Sequence, residues 1–234
     1  MVGLSKGGLG GAFAMLAVPV LALIMSPVQA AALMLPILIM MDAISVQVWW
    51  RQWDLQHLTF LLPSALLGVG AGWALVAVVS DALVLFVLGL MSLLFVLKTW
   101  LQTAPPEPAK PNAKKAAVWG TLAGFTSFVS HSGGPPFQMY MLPLRMPPQT
   151  YTATSVLFFT VVNLVKVPPY LALSQFSTET LVTGIIMAPL AIVSTRLGAW
   201  VVRRMNTEFF YRYIYLMLFV IALKLIYDGL TALL

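Results

Sequence analysis

The sequence predicts an all-α polytopic membrane protein made of two homologous four-segment repeats, each opened by a glycine-broken helical hairpin and inverted relative to the other. Three observations carry that reading: an apolar composition, a series of span-length apolar runs separated by short breaks, and a likeness between the two halves. Hydrophobic residues make up 60% of the 234 and charged residues 9%, against roughly 45–50% and 25% in soluble domains. So few charges cannot coat a globule of this size, which makes the bilayer the solvent. The net charge of +6 is scattered between apolar segments and not gathered on one face, which argues against nucleic acid as a partner. The absence of cysteine excludes a disulfide framework, a thiolate metal site and a cysteine nucleophile. Residues 1–6 do not read as a cleavable signal peptide, so the spans are expected to serve as their own insertion signals.

A span takes about 20 apolar residues, and such runs lie at 9–25, 29–50, 58–79, 82–101, 117–144, 149–173, 180–202 and 209–232. The first repeat is expected over 1–101 and the second over 117–234. Between them, 102–116 holds Pro105, Pro106, Pro108 and Pro111 with Lys110, Lys114 and Lys115, and reads as an extended, solvated cytoplasmic linker. A shift of 126 positions superposes Gly7-Gly8 on Gly133-Gly134, Pro63 on Pro189, Gly72 on Gly198 and Lys98 on Lys224. A shift of 121 superposes Pro27 on Pro148 and Asp42 on Asn163. A first repeat matching the second would open with an apolar arm before Gly7, where only residues 1–6 stand; whether an arm lies upstream or is truncated is left open.

Short basic loops stay cytoplasmic. If every segment crosses, Arg51, Lys98, Lys110, Lys114 and Lys115 fall on one side and Arg145, Arg203, Arg204 and Arg212 on the other, with almost no bias. If 117–144 instead enters, breaks at His131-Ser132-Gly133-Gly134-Pro135-Pro136 and returns, all nine fall on one side. The charge count thus favours a re-entrant hairpin and inverted repeats, with parallel repeats of fully crossing broken helices as the alternative.

Two glycine-rich breaks stand out: Gly3-Leu4-Ser5-Lys6-Gly7-Gly8-Leu9-Gly10-Gly11 and Ser130-His131-Ser132-Gly133-Gly134-Pro135-Pro136. At membrane depth irregular backbone is tolerated only inside protein or along a water-filled cavity. Helix N-termini behind the breaks would turn N–H groups toward an anion, with hydroxyls from Ser5, Ser130 and Ser132 and a charge from Lys6. The competing reading is that the glycines serve close helix packing. The first break lacks the spacing of a nucleotide-binding loop.

Charges inside spans mark function by default. Asp42, Lys166, Arg196 and Lys224 lie within expected spans. Arg196 and Lys224 have the length to snorkel to an interface. Asp42 does not, and is expected to face a partner or a cavity, or to carry a proton; the rival reading is a structural hydrogen bond to Ser45 or a helix cap. Counted with Lys6, the intramembrane charge is net positive, which fits an anionic substrate. His131 titrates near neutrality and could donate to an anion or relay a proton. Gln138, Tyr140, Thr160 and Asn163 are polar groups in apolar segments, suited to a cavity wall or to interhelical hydrogen bonds. No His, Cys or carboxylate stands at ligand spacing from His131, so neither metal nor cofactor is expected. His57, in a short loop with Asp54, is expected to be solvated, and Trp49-Trp50-Arg51-Gln52-Trp53 and Tyr211-Arg212-Tyr213 to form interfacial belts.

The stretch from Gly3 to Gly11, with Met25-Ser26-Pro27-Val28-Gln29-Ala30 after the next apolar run, resembles the TauE/SafE family of sulfite and organosulfonate exporters. Ala123-Gly124-Phe125-Thr126-Ser127 and the Gly133-Gly134-Pro135-Pro136 break resemble that family's second glycine-rich hairpin. The resemblance implies a multi-pass permease of the bacterial inner membrane for a small anion: sulfite, thiosulfate or a sulfonate such as sulfoacetate. It carries over to Ser5, Lys6, Gly7 and Gly8 in the first motif and to 130–135 in the second.

The expected site therefore holds Ser5, Lys6, Gly7, Gly8, Ser130, His131, Ser132, Gly133, Gly134, Gln138, Asn163 and Arg196, with Asp42 and His131 as proton-coupling groups. The broken hairpins are expected to meet near the midplane, and the repeats to alternate access. The expected partners are the anion, protons and lipid; a homodimer and the direction of transport are left open. Alternatives are an anion channel, an uptake permease for another oxyanion or carboxylate, and, with less support, a membrane-embedded enzyme or an assembly subunit. No nucleophile, base and acid constellation is evident for an enzyme.

Overall fold

The computed structural model describes residues 2–8, 17, 21, 27–102, 108–172 and 178–233. The expected span 9–25 lies outside the described residues apart from positions 17 and 21. The described elements are helices α1 (Val2–Gly7), α2 (Pro27–Val48), α3 (Leu55–Leu75), α4 (Asp81–Trp100), α5 (Ala113–Ser130) and α6 (Gly134–Met141), a 3-10 turn (Leu142–Leu144), and helices α7 (Pro148–Ala172), α8 (Thr178–Arg204) and α9 (Thr207–Leu233). No strand occurs among them.

Among the described residues, five stretches are long and apolar enough to cross a membrane: Leu55–Leu75, Asp81–Trp100, Pro148–Ala172, Ile186–Arg204 and Thr207–Leu233. Large apolar side chains such as Leu67, Ile186, Leu190 and Val193 are exposed along them, as expected where lipid and not water is the surroundings. The chain is an all-helical polytopic membrane protein. Helices α2 and α7 both start at a proline, Pro27 and Pro148, 121 positions apart. Helices α4 and α9 start at Asp81 and Thr207, 126 positions apart.

The chain divides into two compact units, Met1–Leu58 with Pro148–Asn206, and Thr59–Pro147 with Thr207–Leu234. Each takes helices from both sides of the 102–116 stretch.

In the first unit α1 packs on α8. Six residues do not hold a helix in isolation, so α1 depends on this contact. A Cβ at Gly7 would run into the Thr195 carbonyl, and a Cβ at Gly198 into the Leu4 carbonyl. The carbonyls at the C-terminal end of α1, which lack helical partners, are taken by side chains. Ser45 Oγ donates to Lys6 O (3.4 Å), Trp49 Nε1 to Gly7 O (2.7 Å) and Thr152 Oγ1 to Gly8 O (3.0 Å). Trp49 is thus a buried cap and not part of an interfacial belt; its neighbour Trp50 is exposed.

In the second unit α4 pairs with α9, through Phe95 stacked on Tyr215 and Trp100 against Phe219. There α5 packs on α3 by close backbone approach, since a Cβ at Gly124 would meet the Ala65 carbonyl. Helix α5 starts at Ala113, inside the expected linker, because the Asn112 side chain caps it by accepting from Lys115 N–H (2.9 Å). The expected run 117–144 is broken where foreseen: α5 ends at Ser130 and α6 begins at Gly134. His131 turns left-handed (φ 53°), and Gly133 folds back onto Ala123 and Ser127 of α5. Ala109 N–H then bonds Pro143 O (2.8 Å), so the start and end of this hairpin lie together. Tyr211, expected at an interface, is buried and donates to Met146 O (2.8 Å).

Candidate functional site

The first unit carries a buried charged cluster. Lys6, at the end of α1, places Nζ 2.6 Å from Asp42 Oδ1. Asn163 Nδ2 donates to the other carboxylate oxygen, Oδ2, also at 2.6 Å. Asp42 is 1% exposed and Lys6 7%. Asn163 comes from α7, which presents Phe159, Asn163 and Lys166 along one face by helical spacing. Lys6 Nζ lies 5.6 Å from the centroid of the Phe159 ring, a cation–π contact. Lys166 is fully buried and interacts electrostatically with both Lys6 and Asp42. A buried ion pair must satisfy its remaining lone pairs to offset desolvation, and here Asn163 takes the second carboxylate oxygen.

Asp42 and Asn163, which the 121-position shift superposes, are thus bonded to each other. The same shift pairs Ser45 with Lys166. Ser45 bonds α1 and not Asp42, so the structural hydrogen bond weighed for Asp42 goes to Asn163 instead. Ser5 is buried on α1. Gly7 and Gly8 press on the Thr195 and Gly198 carbonyls. Helix α1 runs through Gly7, so the first break does not start at Gly3 as expected; 9–16 lie outside the described residues.

In the second unit the break is held by its own groups. Ser130 Oγ donates to Thr126 O, Thr126 Oγ1 to Ser132 O and Ser132 Oγ to Ser130 O. The His131 and Ser132 N–H groups also converge on Thr126 O. Pro135 and Pro136 have no N–H, and Phe137 N–H returns to Gly133 O. Helix α6 therefore presents fewer N–H donors at its start than an ordinary helix. His131, Ser132, Gly133, Gly134 and Gln138 are buried.

The model of the family described as Sulfite exporter TauE/SafE matches residues 1–225. The chain belongs to the TauE/SafE sulfite exporter family. It matches no curated protein and no solved structure. In this TauE/SafE family member Arg196 is exposed on α8 and makes no hydrogen bond or ion pair among the described residues. Lys224, counted as an intramembrane positive charge, pairs with Asp228 one turn on and drops out of that count. His57 is not solvated: it is 5% exposed on the first turn of α3, Nδ1 3.1 Å from Asp54 Oδ1. Partial burial pushes the Asp54 carboxyl up. Hydrogen bonds from the His57 side chain and from the His57 and Gln56 N–H groups, with the imidazole's charge, outweigh that and hold it below the usual carboxylate value.

Sequence reasoning counted Lys166 among the intramembrane charges but did not place it beside Asp42. The signal was its position three residues after Asn163. Trp49 and Thr152 carried no such signal, because what they cap is a carbonyl freed only by the folded break.

Proposed function

We propose that this TauE/SafE family member is a secondary transporter that exports sulfite, or a sulfonate such as sulfoacetate, across the bacterial inner membrane, with Asp42 as the proton-coupling carboxylate. The observation that carries the reading is the buried Lys6–Asp42–Asn163 cluster. An ion pair sealed from water is a two-state element: protonating Asp42 removes the charge that holds Lys6 and frees the ammonium for an anion, and deprotonation restores the pair. Asn163 keeps the carboxyl in place in both states, and Ser5, Gly7 and Gly8 bring the backbone of α1 to the same place. The break at 130–134, with His131 and Gln138, is the second candidate element, and its internally bonded turn suits a hinge better than a dense array of donors. Arg196 serves as an approach charge for the anion. Two inverted repeats moving against each other would provide alternating access. The helix starts spaced at 121 and 126 positions and the closed ends of the α5–α6 hairpin support that arrangement, with re-entry leaving all nine loop cations on the cytoplasmic side.

The test is sulfite flux in proteoliposomes, with and without an imposed pH gradient, and with sulfoacetate as competitor. Saturable flux that responds to the gradient in wild type and is indifferent to it in Asp42→Asn is expected. Gradient-driven accumulation that survives in Asp42→Asn would remove Asp42 from coupling, and no flux above empty liposomes would remove the transport reading.

A further inference from the structure

We infer that the first unit carries a binding site for the headgroup of an anionic phospholipid where the C-terminal ends of α2 and α8 meet, with Arg51 and Arg204 holding the phosphate. The site shares no residue with the Lys6–Asp42–Asn163 cluster. Arg203 Nη2 donates to the Val48 carbonyl at 2.7 Å, and its guanidinium lies 5.2 Å from the centroid of the Trp49 ring. That bond ties the last residue of α2 to the last turn of α8, so Arg51, just beyond α2, and Arg204 stand at the same end of the unit. Arg204 lies over the exposed Trp200 ring, 4.0 Å from its centroid, which orients the guanidinium and leaves its N–H fork open. Arg51 is held left-handed (φ 59°). Both arginines are exposed, and neither side chain makes a hydrogen bond or ion pair among the described residues. Asp54, the next carboxylate along the chain, is engaged with His57. The two helix C-termini, each worth about half a negative charge, do not balance three guanidinium groups.

The surroundings of the arginines suit a lipid and not a free phosphate. Ile186, Leu190, Val193, Leu197, Trp200 and Arg204 recur along α8 at spacings of four and three, so they share one face. All six are exposed. At about 1.5 Å per residue the face runs about 27 Å, from aliphatic side chains through an indole to a guanidinium. A phospholipid presents acyl chains, interfacial region and phosphate in that order. Indoles sit at headgroup level in membrane proteins, and Trp50, 59% exposed and packed edge-to-face on Trp53 at 5.5 Å, supplies a second one next to Arg51. Guanidinium groups pair bidentately with phosphate, and a headgroup of net negative charge takes up the positive excess that a zwitterionic one leaves. A soluble anion would meet the same arginines and gain nothing from the apolar face below them.

The experiment titrates the full chain, purified in a neutral detergent, with phosphatidylglycerol and phosphatidylcholine of matched acyl chains, and counts bound lipid by native mass spectrometry. A basic residue near an anionic headgroup is worth about fivefold in affinity. Wild type should therefore prefer phosphatidylglycerol by about twentyfold, Arg204→Gln by about fivefold, and Arg51→Asn/Arg204→Gln hardly at all; asparagine is chosen because it tolerates the left-handed turn at position 51. Lys114→Gln/Lys115→Gln, which removes two charges from the start of α5, should keep the wild-type preference. Should the double arginine variant fail to fold, Arg204→Gln, at an exposed helix end, decides the matter alone. Glycerol phosphate, the headgroup chemistry without chains, should not displace bound phosphatidylglycerol at equal concentration. Its displacement of the lipid would overturn the inference in favour of a free-oxyanion site. Equal binding of the two lipids by wild type, a preference that survives in the arginine variants, or an equal loss in Lys114→Gln/Lys115→Gln would overturn it as well, the last by reducing it to general surface charge.

Discussion

Asp42→Asn should destabilise the protein more than Lys6→Met, although each removes the same ion pair. Removing Asp42 leaves the two buried amines, Lys6 and Lys166, without the carboxylate with which both interact. Breaking a buried pair from one side costs about 3–5 kcal/mol, and Asp42→Asn belongs at the upper end. Removing Lys6 leaves Asp42 with the Asn163 hydrogen bond and the field of Lys166, so the loss should be nearer that of one hydrogen bond to a charged group, about 1.5–3 kcal/mol. In Lys6→Met/Asp42→Asn no broken pair remains, and the combined loss should fall short of the sum of the singles by about 2 kcal/mol. Thermal and denaturant unfolding of the four proteins in one detergent, with helix content as the probe, gives the cycle. Adding Lys166→Met to Asp42→Asn should recover part of the loss. Equal costs for the two singles, or losses that add within about 0.5 kcal/mol, would refute the argument that Asp42 compensates both amines.

Three further outcomes are expected. Gly124→Ala drives a methyl into the Ala65 carbonyl, a backbone atom that cannot swing aside; overpacking of this kind costs about 1–3 kcal/mol or more, whereas Gly70→Ala meets nothing and should leave the melting temperature unchanged or higher, as thermal denaturation in detergent will show. The Asp54 carboxyl titrates below its unfolded value, so the stability it contributes is complete above the unfolded value of about 3.9 and is lost as pH falls through the folded one; Asp54→Asn should flatten that part of an acid unfolding curve, and an unchanged acid limb would count against the His57 contact. Because the chain has no cysteine, Ala109→Cys and Arg145→Cys can be tested singly with a membrane-impermeant thiol reagent: labelling from the same side is expected of a returning hairpin, and labelling from opposite sides would show that it crosses.

The helical class and most spans were legible because the apolar runs have span length and little charge. The 130–136 break was legible because Gly133, Gly134, Pro135 and Pro136 are poor helix formers wherever they stand. The first glycine run misled for the opposite reason. Gly3, Gly7 and Gly8 look like a break by local propensity, but α8 presents carbonyls and small side chains that only a glycine face can approach, and that contact overrides propensity to keep α1 helical. Composition placed Lys6 and Asp42 in the membrane and could not bring them together, since the pair is closed by tertiary packing across 36 positions. The superposition of Asp42 on Asn163 signals likeness of position, and in the fold the two residues are also in contact. Residue type alone makes Trp49 and Tyr211 belt residues and His57 a loop residue, yet all three are buried, Trp49 and Tyr211 against carbonyls of distant segments and His57 beside Asp54.

The order in which the cluster is assembled follows from its place in the chain. Lys6 and Asp42 leave the ribosome only 36 residues apart and hold opposite charges, so this carboxylate enters the bilayer with its counter-ion. Asn163 and Lys166 follow more than a hundred residues later, on the order of ten seconds at typical rates of synthesis. During that interval the early helices carry a balanced pair into lipid. Asn163, which completes the hydrogen bonding of that pair, arrives with α7 only when the helices that follow it are being made.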